Sequence, residues 1–375
     1  MRLSWRLSAF YFAHFAHAGV VLAYFPLYLA SRGLQPAEIA AVVALPQLAR
    51  IFAPAAWGWL ADRSGARRGI VALACAASAA GFAALPWAAT PAAIAILVGA
   101  MSLVSAAALP LVEAITLGSL AGQAGRYGPI RLWGSVSFIA VVLGGGAWLD
   151  VASVRPLPAA VSLFALAALA AALSLPPGGP ARRHEIARQP RLAPAALRLL
   201  GASACMAIAH GVLYAFFTLH LEREGYSGAA IGAFWTLGVV AEIAVFLRLP
   251  ALFQRFALST ILAASLLCAV ARFLAIGWGA AYLWILVPAQ LLHGATFGAF
   301  HGASVAAVQH VFPEAAQARG QALLSSIGYG AGGAAGIVAA GWAWEAGGPG
   351  AAFSLAAAAA FAGVFPAYRL KRAAF

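Results

Sequence analysis

Residues 176–194 read PPGGPARRHEIARQPRLAP, the one sizeable polar stretch in a chain of 375 residues. On its N-terminal side apolar runs fall near 7–30, 37–60, 69–89, 92–117, 130–149 and 156–175. On its C-terminal side they fall near 195–220, 228–249, 257–277, 280–308, 320–343 and 349–368. A membrane-crossing helix takes about 20 apolar residues. The expected fold is therefore an all-α membrane protein of twelve transmembrane helices. Two six-helix bundles, 1–175 and 195–375, are joined by a cytoplasmic linker at 176–194. Turn chemistry separates the runs, as at Gln35-Pro36, Ser64-Gly65, Thr90-Pro91, Arg155-Pro156 and Gly347-Gly348-Pro349.

Composition agrees with that reading. The chain is 64% hydrophobic and only 9% charged, against about 25% charged for a soluble domain. So few charges cannot cover a water-exposed surface, which excludes a soluble enzyme, a nucleic-acid-binding domain and a disordered chain. The formal charge of +13 has another explanation. Seventeen of the 23 basic residues fall in loops on one side of the expected topology, and three (Arg32, Arg155, Arg223) fall on the other. Such a bias marks the cytoplasmic side. It places both termini inside and turns the positive charge toward anionic headgroups. All basic residues but Lys371 are arginine, a usage that, with the alanine excess, fits a GC-rich bacterial genome. The expected location is a bacterial plasma (inner) membrane, with the first span uncleaved and the chain a monomer. Cys75, Cys205 and Cys268 lie in apolar runs with no metal or disulfide spacing. No metal and no cofactor are expected.

An ionisable side chain at mid-bilayer costs about 2.5–3.5 kcal/mol on the insertion scale, so each one in a span asks for a reason. The spans contain Glu113 and Glu242, with Arg50, Arg131 and Arg272, and histidines at 14, 17, 210, 293 and 301. Glu113 and Arg131, near the ends of neighbouring spans, are placed to pair. Three arginines against two glutamates leave one positive charge over. Either water hydrates it or an anionic substrate neutralises it; the favoured ligand carries a carboxylate, with Arg50 first in line to meet it. His293 and His301 are eight apart with Phe297 midway, which puts all three on one broad helical face. A histidine beside an acid can relay protons because its pKa crosses the working range. His14 and His17 share a face of the first span with Tyr11, where cavity lining and plain packing are equally good readings. Small-residue runs, Gly144-Gly145-Gly146 and Gly328 to Gly336, suit close helix packing.

The loop after the second span, GWLADRSGARRG (58–69), resembles the loop motif of the major facilitator superfamily. By that resemblance Gly58 permits close helix approach. Asp62 sits at a cytoplasmic gate, completed by Arg63, the turn at Gly65, and Arg67 and Arg68. The counterpart in the second half, LRLPALFQRFALST (247–260), lacks the acid. Further segments are similar to the phenylpropionate permease branch, a relative of the lactose and nucleoside proton symporters. They are LPQLARIFAP (45–54), ALPLVEAI (108–115), RLWGSVSF (131–138), WTLGVVAEIAVF (235–246), AVARFLAIG (269–277) and LLHGATFGAFHGA (291–303). The resemblance gives Glu242, Arg272, His293 and His301 to proton coupling, and Glu113 with Arg131 to the substrate. One turn beyond His293, where the lactose relatives have an acid, stands Thr296. That departure makes Glu242 the better proton carrier, tuned by Arg272 and His293.

These readings converge on a secondary active transporter, not an enzyme, taking up a small aromatic organic acid with protons by alternating access. Its partners are the small-molecule substrate, protons and the lipid bilayer. Substrate-binding candidates are Arg50, Glu113, Arg131, Tyr11, His14, Trp235 and Phe297, the aromatic ones offering stacking surface. Two alternatives keep the same fold: a proton-coupled sugar or nucleoside transporter, and an exporter.

Overall fold

Lipid offers the backbone no hydrogen-bond partners, so an apolar run of this length must close its own N–H···O=C bonds as a helix. The computed structural model describes residues 3–120, 123–177 and 192–370, and every regular element among them is helical. In chain order these are α1 (Leu3–Ser31), α2 (Pro36–Ser64), α3 (Arg67–Trp87), α4 (Pro91–Ser119), α5 (Tyr127–Val151) and α6 (Leu157–Leu173). There follow α7 (Pro194–Arg223), α8 (Gly228–Arg255), α9 (Leu258–Gly279), α10 (Leu283–Val311) and α11 (Glu314–Leu370). Ten of them are long and apolar enough to cross a bilayer, and α6 is a shorter apolar helix. The 57-residue α11 is broken at Gly347 and Gly348. Gly348 takes φ +70°, a left-handed conformation open to glycine, and Pro349 follows it. Most of the polar stretch, 178–191, lies outside the described residues, as do Arg2, Lys371 and Arg372.

Backbone contacts divide the chain into two compact units. One comprises 1–34, 48–184 and 227–232; the other comprises 35–47, 185–226 and 233–375. The grouping differs from a simple cut at the linker, because the starts of α2 and α8 are assigned apart from the remainder of their own helices. In the first unit α1 packs on α5 and α6, and α3 on α4 and α6. Its core joins Leu7, Phe10 and Tyr11 of α1 to Val71 and Cys75 of α3, Leu111 and Val112 of α4, and Ala168 and Ala172 of α6. In the second unit α7 and α9 both pack on α11, and α9 also meets α10.

Without a hydrophobic gain between helices already in lipid, packing rests on how closely backbones approach, and small residues set that distance. At the crossing of α7 and α11, a Cβ on Gly211 would overlap the backbone of Gly336 and Ile337, and one on Gly336 would overlap Ile208. Gly332 meets the Ala204 carbonyl in the same way. The run at 144–146 is less uniform. Gly145 receives the Tyr24 ring and Gly146 the backbone of Gly228, whereas Gly144 faces open space. Two wide π-helical stretches, Gly294–Ala299 in α10 and Leu324–Ala331 in α11, interrupt otherwise α-helical elements. Such turns concentrate at functional sites.

Replacing Gly211 with valine is expected to force α7 off α11 and cost about 3 kcal/mol. It should be read as a lowered thermal unfolding midpoint of the purified protein in detergent. Gly144→Ala, with room for its methyl, should leave that midpoint unlowered.

Candidate functional site

Each unit carries a cluster of polar side chains inside an apolar shell. In the first unit α1 contributes Tyr11, His14 and Phe15, α4 contributes Glu113 and Thr116, and α5 contributes Tyr127 and Arg131. The Arg131 guanidinium lies 3.9 Å from the centroid of the Phe15 ring and 5.6 Å from that of Tyr11, within cation–π range of both. Tyr11 donates its hydroxyl to Thr116 Oγ1 at 3.3 Å, and Tyr127 donates to Glu113 Oε1 at 3.5 Å. His14 stacks on Phe10 with ring centroids 5.6 Å apart. His17, a turn further on, is held by Ser78 at 3.2 Å.

Glu113 and Arg131 are therefore neighbours without a direct ion pair. The carboxylate is taken by a tyrosine hydroxyl and the guanidinium by aromatic faces, so the expected salt bridge is replaced by two separate contacts. Arg50, expected at the centre of ligand recognition, is an exposed side chain midway along α2.

The second unit builds a denser network around Arg272, whose side chain is the largest fully buried one, at 1% exposure. The acceptors its donors meet are neutral. Nε donates to the Ala289 carbonyl at 3.1 Å, Nη2 to Gln290 Oε1 at 2.8 Å and Nη1 to Thr296 Oγ1 at 3.2 Å. His210 Nδ1 lies 2.9 Å from the Met206 carbonyl, which can only accept. That fixes the proton on Nδ1 and leaves Nε2 as an acceptor, 3.5 Å from both Arg272 Nη1 and Thr296 Oγ1. His293 links this network to an acid, with Nε2 at 3.7 Å from Glu242 Oε2. Its ring lies 6.0 Å from that of His210. His293, Phe297 and His301 then stack in series, at 5.5 and 5.9 Å, and His301 Nδ1 ends on the Tyr329 hydroxyl at 2.9 Å.

Glu242, Arg272 and His293 thus belong to one cluster, but Arg272 reaches His210, Gln290 and Thr296 rather than the carboxylate. Thr296, one turn beyond His293, accepts from the Arg272 guanidinium. Trp235 is not a stacking surface. It is 6% exposed, its indole N–H donates to Thr218 Oγ1 at 3.0 Å, and Phe217 meets its face edge-on. His210 stood among the in-span histidines with no role attached. Gln290, Tyr127 and Tyr329 carry no charge, and nothing in their spacing distinguishes them.

In the loop at 58–69, Arg67 pairs with Asp62 at 2.7 Å. Gly65 turns the chain at φ +67°, Arg68 reaches the Leu175 carbonyl at 3.4 Å, and Arg63 covers the Trp59 ring at 5.6 Å. Among the described residues nothing lies within 4 Å of the place a Cβ on Gly58 would take, so no close packing at Gly58 is seen there. Among the described residues no group of histidine, cysteine and acid side chains could hold a metal ion.

Long apolar helices, buried ionisable clusters and a charged inter-helix loop mark a multi-pass membrane protein. The chain belongs to the MFS_1 like family, whose profile matches residues 4–355. It is similar to a probable 3-phenylpropionic acid transporter of Escherichia coli (strain K12), 31% identical over 191 residues. That alignment covers 48% of each chain, so it spans about half the length of this relative. The maltose permease of Geobacillus stearothermophilus is 27% identical over 330 residues, 86% of this chain and 83% of that one. Among solved structures, the nucleoside transporter NupG superposes with a TM-score of 0.84 at 18% identity, covering 99% of this chain and 100% of that one. A peptide transporter of the POT type gives 0.77 at 14% identity over 99% and 93%. At these identities the structures speak for the fold alone.

Removing one acceptor from a buried guanidinium leaves a costly donor behind. Thr296→Val is expected to destabilise the ligand-free protein by about 1–3 kcal/mol in thermal unfolding, whereas Thr296→Ser, which keeps the hydroxyl, should retain most of the stability.

Proposed function

We propose that this transporter takes up a small aromatic carboxylate together with protons by alternating access. The reading treats the two arms of α11 as separate spans, which gives twelve, with both termini cytoplasmic in a bacterial inner membrane and a monomer as the working unit. The observation that carries it is Arg131, a half-buried guanidinium with no carboxylate within 4.0 Å among the described residues, set between aromatic rings. A substrate carboxylate supplies the missing countercharge there, and its ring finds stacking surface on the half-buried Phe15, with the fully buried Tyr11 packed behind. Arg50, Glu113 and His14 complete the substrate side, and Phe297 extends it in the second half. Glu242 carries the proton. A carboxylate facing a low-dielectric wall holds its proton, and one facing a cation releases it. His293 and His301 flank that step, and the buried charge of Arg272 biases it. Asp62 with Arg63, Gly65, Arg67 and Arg68 forms the inner gate.

A second reading, uptake of a neutral sugar or nucleoside, is favoured by the long alignment with the maltose permease. In that case the charged groups serve hydrogen bonding and coupling only.

Counterflow in proteoliposomes separates the two. Loaded 3-phenylpropionate should exchange with external label while maltose and uridine do not, and Arg131→Gln should reduce that exchange by about 100-fold. Exchange of a neutral substrate with the acid inert would overturn the proposal. Glu242→Gln is expected to abolish uptake driven by a proton gradient yet leave counterflow intact, because exchange needs no net proton movement. Orientation is tested by reporters fused after residue 375: a fluorescent protein should be bright and alkaline phosphatase inactive, as for a cytoplasmic end.

A further inference from the structure

The outer ends of α5 and of the first arm of α11 share a short pattern that the transport reading leaves unused. Residues 146–150 read GAWLD and residues 341–345 read GWAWE, each a glycine followed four residues later by an acid. Both acids point at the start of another helix. Asp150 accepts from the backbone N–H of Gly228 at 2.5 Å and of Ala229 at 2.9 Å, in the first turn of α8. Glu345 accepts from the N–H of Ala37 at 2.9 Å, in the first turn of α2. The glycines seat the same helix starts. A Cβ on Gly146 would overlap the Gly228 carbonyl, and one on Gly341 would overlap Ala40 and Ala37.

The receiving turns match as well. Gly33 and Gly225 stand three residues before α2 and α8, at φ +84° and +83°. In both turns a backbone N–H reaches five residues back, Leu34 to Leu29 and Tyr226 to Leu221. Each helix start also has a local cap, in which Ser227 Oγ accepts from Ala230 N–H and Glu38 Oε2 accepts from Gln35 N–H. The N–H groups that Asp150 and Glu345 take are those the local caps leave over. Neither carboxylate has a basic side chain within 4.0 Å among the described residues, so each faces only the positive end of a helix. α2 and α8 are also the two helices whose first turns are grouped apart from their remaining length.

We propose that Asp150 and Glu345 are a matched pair of latches. Each carboxylate holds the N-terminus of α8 or α2 at the outer end, and both must let go for that end to open, so together they set the balance between outward-closed and outward-open forms. This rests on the alternating-access reading but on no particular cargo.

The test uses the full chain in lipid nanodiscs, its native cysteines replaced by alanine, with spin-label pairs read by pulsed dipolar spectroscopy. Labels at Ser153 and Glu222 report the Asp150 latch, and labels at Gln35 and Ala346 report the Glu345 latch. Asp150→Ala should raise the ratio of long to short distances about five-fold, and at both label pairs together. Glu345→Ala should do the same, and the double variant should show roughly the product. If Asp150→Ala does not reach the membrane folded, Asp150→Asn, which keeps one acceptor oxygen, carries the same test with a smaller shift. A change confined to the nearer label pair, or none at all, overturns the latches and leaves two ordinary helix caps. Gly146→Leu wedges the same end without touching a carboxylate. If it lengthens both distances while the alanine variants do not, alternating access stands and the latches fall. If it lengthens neither, alternating access itself is overturned.

Discussion

Hydrocarbon cannot hydrogen-bond, and that single deficiency governs this protein from its backbone to its buried charges. It makes every described element a helix. It also moves the work of holding helices together onto backbone proximity, which is why Gly211, Gly332 and Gly336 sit where α7 and α11 cross with no room for a side chain. Departures from regular helix survive only where protein encloses them. The wide turn at Gly294–Ala299 faces α8, with Gly294 against the Ala241 carbonyl and Gly298 against Glu242.

The same deficiency shapes the polar clusters. A guanidinium at 1% exposure must bring its partners with it, and Arg272 does so with a carbonyl, an amide, a hydroxyl and an imidazole drawn from two other helices, α7 and α10. No acid is spent on it. The acid of that cluster, Glu242, is met instead by His293. In the first unit Arg131 rests on aromatic rings and Glu113 takes a phenol. In these two clusters Arg131 and Arg272 thus share a neighbourhood with Glu113 and Glu242 without forming ion pairs with them. A carrier needs that separation if its charges are to be offered to passing ions rather than tied to each other.

Much of this was legible in the chain. Span after span announced itself by length and apolarity, the breaks at Gly65 and Gly347-Gly348 by turn chemistry, and the loop network by resemblance to a family motif. The ionisable residues inside spans were visible because charge in lipid is rare enough to stand out. What escaped notice has a common cause. Gln290, Tyr127 and Tyr329 owe their roles to partners distant in sequence, and a neutral residue in an apolar helix carries no mark of the hydrogen bond it will make. Gly58 failed the other way, since a motif states what a position permits and not which neighbour comes near. The likeness of GAWLD to GWAWE is five residues in 375, too little to stand out until the helix starts beside both were seen.

The wide turn in α10 has a geometric consequence of its own. In a straight α-helix, residues eight apart drift about 80° around the axis, so His293 and His301 would diverge across their shared face. Widening one turn between them absorbs an extra residue and winds the phase back, and the three rings stack in a single column. The column ends on Tyr329, inside the other wide turn at Leu324–Ala331. Two local unwindings, one on each helix, therefore work as phase adjusters, bringing into line side chains that the regular helical repeat would leave out of step.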